Sequence, residues 1–243
     1  MADAVSGRRN TAFGWMLALL VIALFTRLGF WQLARMHEKQ GMLDAARAVV
    51  QQRHALPLSA AADGRRSRDY DWSMGSGRFA TLPPVLLDNQ SHDERAGVRA
   101  YRVFLPADAA PPLLVELGWL PLSGDRRMPP VPRPDAAMRI AGLLAPPPSA
   151  GIATTTVQPQ ADGTLLTIAL DLPLLRKALA LPTLAPRVLK LDPAIPLGYA
   201  RDLDVLPNTL PPERHLGYAV QWFGLALAVL VTALVLTFRK PHR

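Results

Sequence analysis

From Leu216 to Phe238 the chain carries no charged side chain. At about 1.5 Å of helical rise per residue this stretch covers roughly 34 Å, enough to cross a bilayer. It predicts a membrane helix over residues 215–238. At one end of it His215, Tyr218 and Trp222 stand at i, i+3 and i+7, which puts them on one helical face where hydrocarbon gives way to headgroups. Two readings follow. Trp and Tyr are enriched at that boundary as anchors, whereas an ionisable group at membrane depth tends to serve a chemical role.

A second apolar run lies near the N-terminus. Residues 1–12 are polar and include Arg8 and Arg9, Phe13 to Phe25 is apolar, and Leu28 to Leu33 resumes after Thr26 and Arg27. A cleaved signal peptide has a shorter apolar core and a small-residue cleavage site, and FTRLGFWQLAR offers neither. The run predicts an uncleaved membrane helix over 13–33. Arg27, about two turns before its end, either snorkels to the headgroups or supplies a counter-charge to a carboxylate there.

The formal charge of +8 raises nucleic-acid binding, and its distribution argues against it. Eight of the 27 basic residues and two of the 19 acidic ones flank the two apolar runs, namely Arg8, Arg9, Arg27, Arg35, Lys39, Arg239, Lys240 and Arg243 against Asp3 and Glu38; residues 40–214 then hold 19 basic and 17 acidic side chains. The clusters before the first run and after the second place both termini in the cytoplasm by the positive-inside rule. Residues 34–214 are expected outside. Without cysteine, disulfides, thiolate metal sites and thiol redox chemistry are excluded.

The outer segment opens with a partly amphipathic helix, carried by Met42, Leu43, Ala46, Val49 and Val50 and closed before Pro57. From Tyr70 short apolar runs separated by Gly, Pro and Asp predict strands at Ser76–Ala80, Pro84–Asp88, Arg99–Leu105, Leu113–Leu117, Ala137–Leu144 and Leu165–Leu170. A short helix at Leu172–Leu181 and strands at Arg187–Leu191 and Tyr199–Val205 complete the pattern. The fold class is therefore α+β, with two transmembrane helices flanking a mostly antiparallel β-rich domain, as an open sheet or a small barrel.

Catalytic constellations are missing. None of His37, His54, His92, His215 and His242 falls into a metal-ligand spacing, and neither a G-x-S-x-G elbow nor a phosphate loop occurs. Gly75-Ser76-Gly77-Arg78-Phe79-Ala80 fits G-x-G-x-x-A but leads into TLPP and not into a helix. Asp93 and Glu94, as neighbours in an extended segment, would point to opposite faces. The chain reads as a protein that is not an enzyme.

Four segments in order resemble the surfeit locus protein 1 family of cytochrome c oxidase assembly factors. They are Leu28-Gly29-Phe30-Trp31-Gln32-Leu33-Ala34-Arg35 with Lys39; Gly77-Arg78-Phe79, Leu87-Asp88-Asn89-Gln90 and Tyr101-Arg102-Val103; Leu114-Val115-Glu116-Leu117-Gly118-Trp119-Leu120-Pro121; and His215-Leu216-Gly217-Tyr218-Ala219-Val220-Gln221-Trp222-Phe223. Glu116 and Leu117 depart from the family's usual Asn and Arg, and Arg126 or Arg127 would then take over that arginine's role.

The resemblance implies a membrane chaperone in respiratory complex IV biogenesis that helps deliver haem a into subunit I. Its partners would be subunit I of cytochrome c oxidase, the haem a synthase and membrane lipid. It further implies His215 as a haem iron ligand, with Tyr218, Trp222, Trp31 and Arg27 around the macrocycle. Two alternatives stand beside it: a haem-independent scaffold that binds oxidase subunits or the haem a synthase, and a membrane enzyme acting on haem or lipid.

Overall fold

A computed structural model describes residues 2–124, 127–148, 155–206 and 209–239, with backbone alone for 2–10. Arg126, Lys240 and Arg243 and the side chains of Arg8 and Arg9 lie outside the described residues. The chain divides into two compact units, Met1–Gly41 with Thr209–Arg243, and Met42–Asn208.

The first unit is a helix pair. α1 (Ala2–Gln52) is one continuous helix of 51 residues, longer at both ends than the expected span, and its last turns belong to the second unit. The partner in the first unit is α3 (Pro212–Phe238). Both are long and apolar enough to cross a membrane. They run antiparallel, because Trp15 Nε1 donates to Thr237 Oγ1 at 3.0 Å while Gln32 meets His215 near the opposite end.

The second unit holds nine strands: β1 (Ala55–Pro57), β2 (Asp71–Phe79), β3 (Val85–His92), β4 (Arg95–Pro106), β5 (Leu113–Pro121), β6 (Met138–Ala145), β7 (Val157–Pro159), β8 (Leu165–Thr167) and β9 (Val188–Leu191). A short helix, α2 (Leu172–Ala178), starts where the Asp171 side chain accepts the Leu174 N–H at 2.9 Å, the usual answer to an unpaired first-turn donor. Strand order is β1-β2-β6-β9-β5-β4-β3-β8-β7, with a further pairing of β2 to β4. That pairing closes β2, β6, β9, β5 and β4 into a barrel. β2 pairs with β6 along residues 71–77 and with β4 along 77–79. Most pairings are antiparallel; β1 with β2, β3 with β8 and β5 with β9 are parallel.

Alternation sorts the side chains. Val98, Ala100 and Phe104 of β4, Leu113, Val115 and Leu117 of β5, Ile140 and Leu144 of β6, and Leu189 and Leu191 of β9 fill the interior with Phe79. Phe79 and Phe104 pack edge to face at 5.1 Å. Leu58 and Ala61, from a 3-10 turn at Leu58–Ala62, join the same cluster. Outside the barrel α2 covers Val85, Tyr101, Val103, Leu114 and Val188 with Leu172 and Leu175. The last turns of α1 place Ala46, Met42, Val49 and Val50 against Tyr70, Trp72 and Leu143.

Several elements differ from the expectations. β2 begins at Asp71 and not at Ser76 because the inward positions of its first half are polar: Asp71 binds Arg187 at 2.6 Å, and Ser73 Oγ donates to Leu56 O at 3.0 Å. β8 stops at Thr167. β1 and β7 carry three residues each and gave no periodic signal. Asp93 and Glu94, with φ of 48° and 61°, form the two-residue turn between β3 and β4 and are not extended; positive φ at both positions matches the twist of the flanking strands. Residues 199–205 are not a strand. They form a strap with one bridge, Trp119 to Ala200.

Candidate functional site

Pro212, His215, Ala219 and Ala226 are the buried residues of α3, spaced at three, four and seven so that they share one face. That face meets α1. Phe223 lies beside Gly29, where an added Cβ would come within 2.6 Å of the Phe223 ring. Gly29 is thus a true close-approach point, whereas a Cβ at Gly14, Gly217 or Gly224 would meet open space. Aromatic contacts continue along the same seam, with Phe25 and Trp222 at 5.4 Å and Phe30 and Phe223 at 5.3 Å.

His215 sits on this seam and is only 7% exposed. Its Nδ1 lies 2.7 Å from Oε1 of Gln32 on α1. Its Nε2 is buried and has no hydrogen-bond partner. Trp222 is half-buried, on the His215 side of α3, through its contact with Phe25. Tyr218, 38% exposed, Trp31, 53% exposed, and Arg27 face outward from the pair. Of the five rim residues, the seam holds His215 and Trp222. In the sequence Gln32 stands only within the segment 28–35; the signal that it reaches His215 is its place one residue after the exposed Trp31, about 100° round the helix from that ring.

A second polar cluster belongs to the β unit. The register aligns Tyr101 with Glu116 and Glu116 with Lys190 across β4, β5 and β9. Arg99 Nη1 donates to Glu116 Oε1 at 2.7 Å, and Lys190 Nζ and the Tyr101 hydroxyl donate to Oε2 at 2.6 and 3.0 Å. Burial pushes the Glu116 carboxyl up, but Lys190 and Arg99 outweigh it and hold it below its usual range. Asp202, on the strap, stands 3.6 Å from Arg99 and 3.3 Å from His92. The cluster is closed and saturated on its carboxylate side, as befits a structural core. Glu116 therefore meets Arg99 and Lys190 as a buried anion. Arg127 is exposed. Among the described residues no group of three or more His, Cys, Asp or Glu side chains could hold a metal ion.

The model of the SURF1 family matches residues 19–227. The chain belongs to the SURF1 family. Its members are in general assembly factors of cytochrome c oxidase, associated with membranes, and not catalysts. No curated protein matches the chain. The match runs from inside α1 to inside α3, so the helix pair and the barrel both fall within what defines the SURF1 family.

The donor set suits a haem iron. Neutral imidazole is an axial ligand to haem, ligating histidines typically hydrogen-bond through the other ring nitrogen, and His215 has one nitrogen bonded and one unpaired. The unpaired atom is enclosed, so access to it requires neighbouring side chains to part.

Proposed function

We propose that this SURF1-family protein assists haem a delivery into subunit I of cytochrome c oxidase, with His215 as the residue that meets the iron. The observation that carries the reading is the state of the His215 ring, bonded to Gln32 at Nδ1 and bare at a buried Nε2. A buried nitrogen without a partner costs about 1–3 kcal/mol. A helix pair that keeps such an atom is supported at that cost elsewhere, along the aromatic seam.

When bound, haem a would bring an iron that accepts a nitrogen donor and a flat apolar macrocycle. His215 would hold the iron from one side, and Trp222 offers a ring face beside it. Trp31 and Tyr218 present outward aromatic surface, and Arg27 an exposed cation suited to a propionate. A carrier must release what it captures. One protein ligand, reached only when the seam loosens, gives moderate affinity and a point of control.

In this reading both helices span the inner membrane, both termini are cytoplasmic, and the barrel lies in the periplasm beside the oxidase precursor and the haem a synthase. The clusters of Arg and Lys at the chain ends support that orientation. A haem-independent scaffold is favoured by one observation, the enclosure of Nε2, since the Gln32–His215 bond also simply joins two helices.

The optical spectrum of the detergent-purified protein, from cells that make haem a, separates them. An a-type spectrum in the wild type that is lost in His215→Ala is expected. A spectrum unchanged by the substitution removes His215 as the ligand, and no haem in either protein while subunit I still co-purifies gives the scaffold.

A further inference from the structure

The Gln32–His215 contact fixes more than the distance between two helices. An amide oxygen has lone pairs and no proton, so the ring nitrogen that faces Gln32 Oε1 at 2.7 Å carries the hydrogen. A neutral imidazole carries only one. Nε2 is then the nitrogen with the free lone pair, and it is the nitrogen that has no partner.

The opposite tautomer is disfavoured on the side of the ring that faces Gln32. With the present amide orientation, two lone pairs would face each other at 2.7 Å. Turning the amide so that its NH2 meets Nδ1 restores that bond but leaves an N–H on Nε2 buried and without an acceptor. Either tautomer leaves Nε2 unpaired, so what selects Nδ1–H is the amide orientation of the structure, with Oε1 toward the ring.

We propose that Gln32 is the positioning residue of this site: it holds His215 in the Nδ1–H tautomer and fixes the ring plane, so that Nε2 alone is presented as a metal donor. The proposal rests on the reading of His215 as an iron ligand. Gln32 touches neither iron nor macrocycle. It acts through His215, as the outer partners of ligating histidines do, and loss of such a partner typically weakens metal binding by about 10- to 100-fold.

A purely structural role predicts something different. An interhelical hydrogen bond in a membrane contributes only weakly to stability, and its loss would lower thermal stability without selecting a tautomer.

The test uses full-length protein in detergent, labelled with 15N-histidine, with the His215 signals identified by their absence in His215→Ala. The ring 15N shifts report which nitrogen is protonated, with no haem present. Titration with haem a then reports affinity. Wild type is expected as the Nδ1–H tautomer. Gln32→Leu should show both tautomers and bind haem a about 10- to 100-fold more weakly. Gln32→Glu, which keeps an acceptor at the same reach, should retain the wild-type tautomer and most of the affinity.

A proton on Nε2 in the wild type overturns the proposal, as does a Gln32→Leu protein with unchanged tautomer and unchanged affinity. If Gln32→Leu does not fold, the wild-type tautomer and the Gln32→Glu variant decide. Equal haem a binding by wild type and His215→Ala defeats the ligand reading, and the tautomer result still decides whether Gln32 sets the ring.

Discussion

Glu116 shows how a single residue can hold a sheet's outer face together. Its two oxygens receive Arg99, Lys190 and Tyr101, and all four side chains are buried. Removing one partner of a buried pair leaves uncompensated charge and costs about 3–5 kcal/mol. Glu116→Gln is accordingly expected to lower unfolding stability by that order, as read from denaturant unfolding followed by tryptophan fluorescence. A loss below about 1 kcal/mol, the scale of an exposed pair, would contradict the role. The carboxyl is held below its usual range in the folded protein, so its contribution is full above the ordinary Glu value near 4.5 and is lost as pH falls through the lowered folded value. Acidification from about pH 4.5 downward should destabilise the wild type more steeply than Glu116→Gln.

None of this cluster was legible beforehand. Glu116, Arg99, Tyr101 and Lys190 meet only through the register of three strands, and the segment LLVELGW reads as apolar with one charge. The rim of α3 was legible in part. Helical spacing alone aligned His215 with Trp222, but which side of α3 turns toward α1 depends on packing at Gly29 and Phe223. That is why Tyr218 faces outward while Gln32 bonds the imidazole.

Among the elements, the strap at 199–205 depends on one irregularity in β5. The register slips between Ala100 and Tyr101, leaving Leu117 as the extra residue and Gly118 at φ 119°. A bulge frees backbone groups from the ladder: Tyr199 N donates to Leu117 O at 2.7 Å and Trp119 N to Ala200 O at 2.8 Å. A Cβ on Gly118 would stand 2.6 Å from Ala200 O. Gly118→Ala, strained in φ and crowded by the strap, is expected to cost about 1–3 kcal/mol. It should also raise amide exchange in peptides covering 197–206 by more than in β9. Unchanged exchange there would show that the strap is held by other contacts.

The same bulge explains why the strap resembles a strand in sequence. Tyr199, Leu203 and Val205 give the alternation, yet only Ala200 finds a ladder partner. Strands with apolar inward faces, β4, β5, β6 and β9, were recognisable. β2 was recognisable only in its second half, because Asp71 and Ser73 answer Arg187 and a backbone carbonyl rather than an apolar core.

At the scale of the molecule, a closed barrel and an antiparallel pair of apolar helices share one long element, α1, whose residues up to Gly41 belong to the helix pair and from Met42 to the barrel unit. The SURF1 family match covers both. The apolar length of 215–238 and the position of its His-Tyr-Trp rim set this organisation from sequence. Closure of the barrel was left open there, because pairing of β2 with both β6 and β4 is a long-range event with no local signal.

The proposed role of His215 in haem a delivery is tested most directly by the haem a content of subunit I in membranes of cells lacking this protein and complemented with either wild type or His215→Ala at equal abundance. Wild type should restore the haem a of subunit I while His215→Ala leaves it at the uncomplemented level. Restoration by His215→Ala equal to wild type would contradict the claim and leave the helix pair as a scaffold.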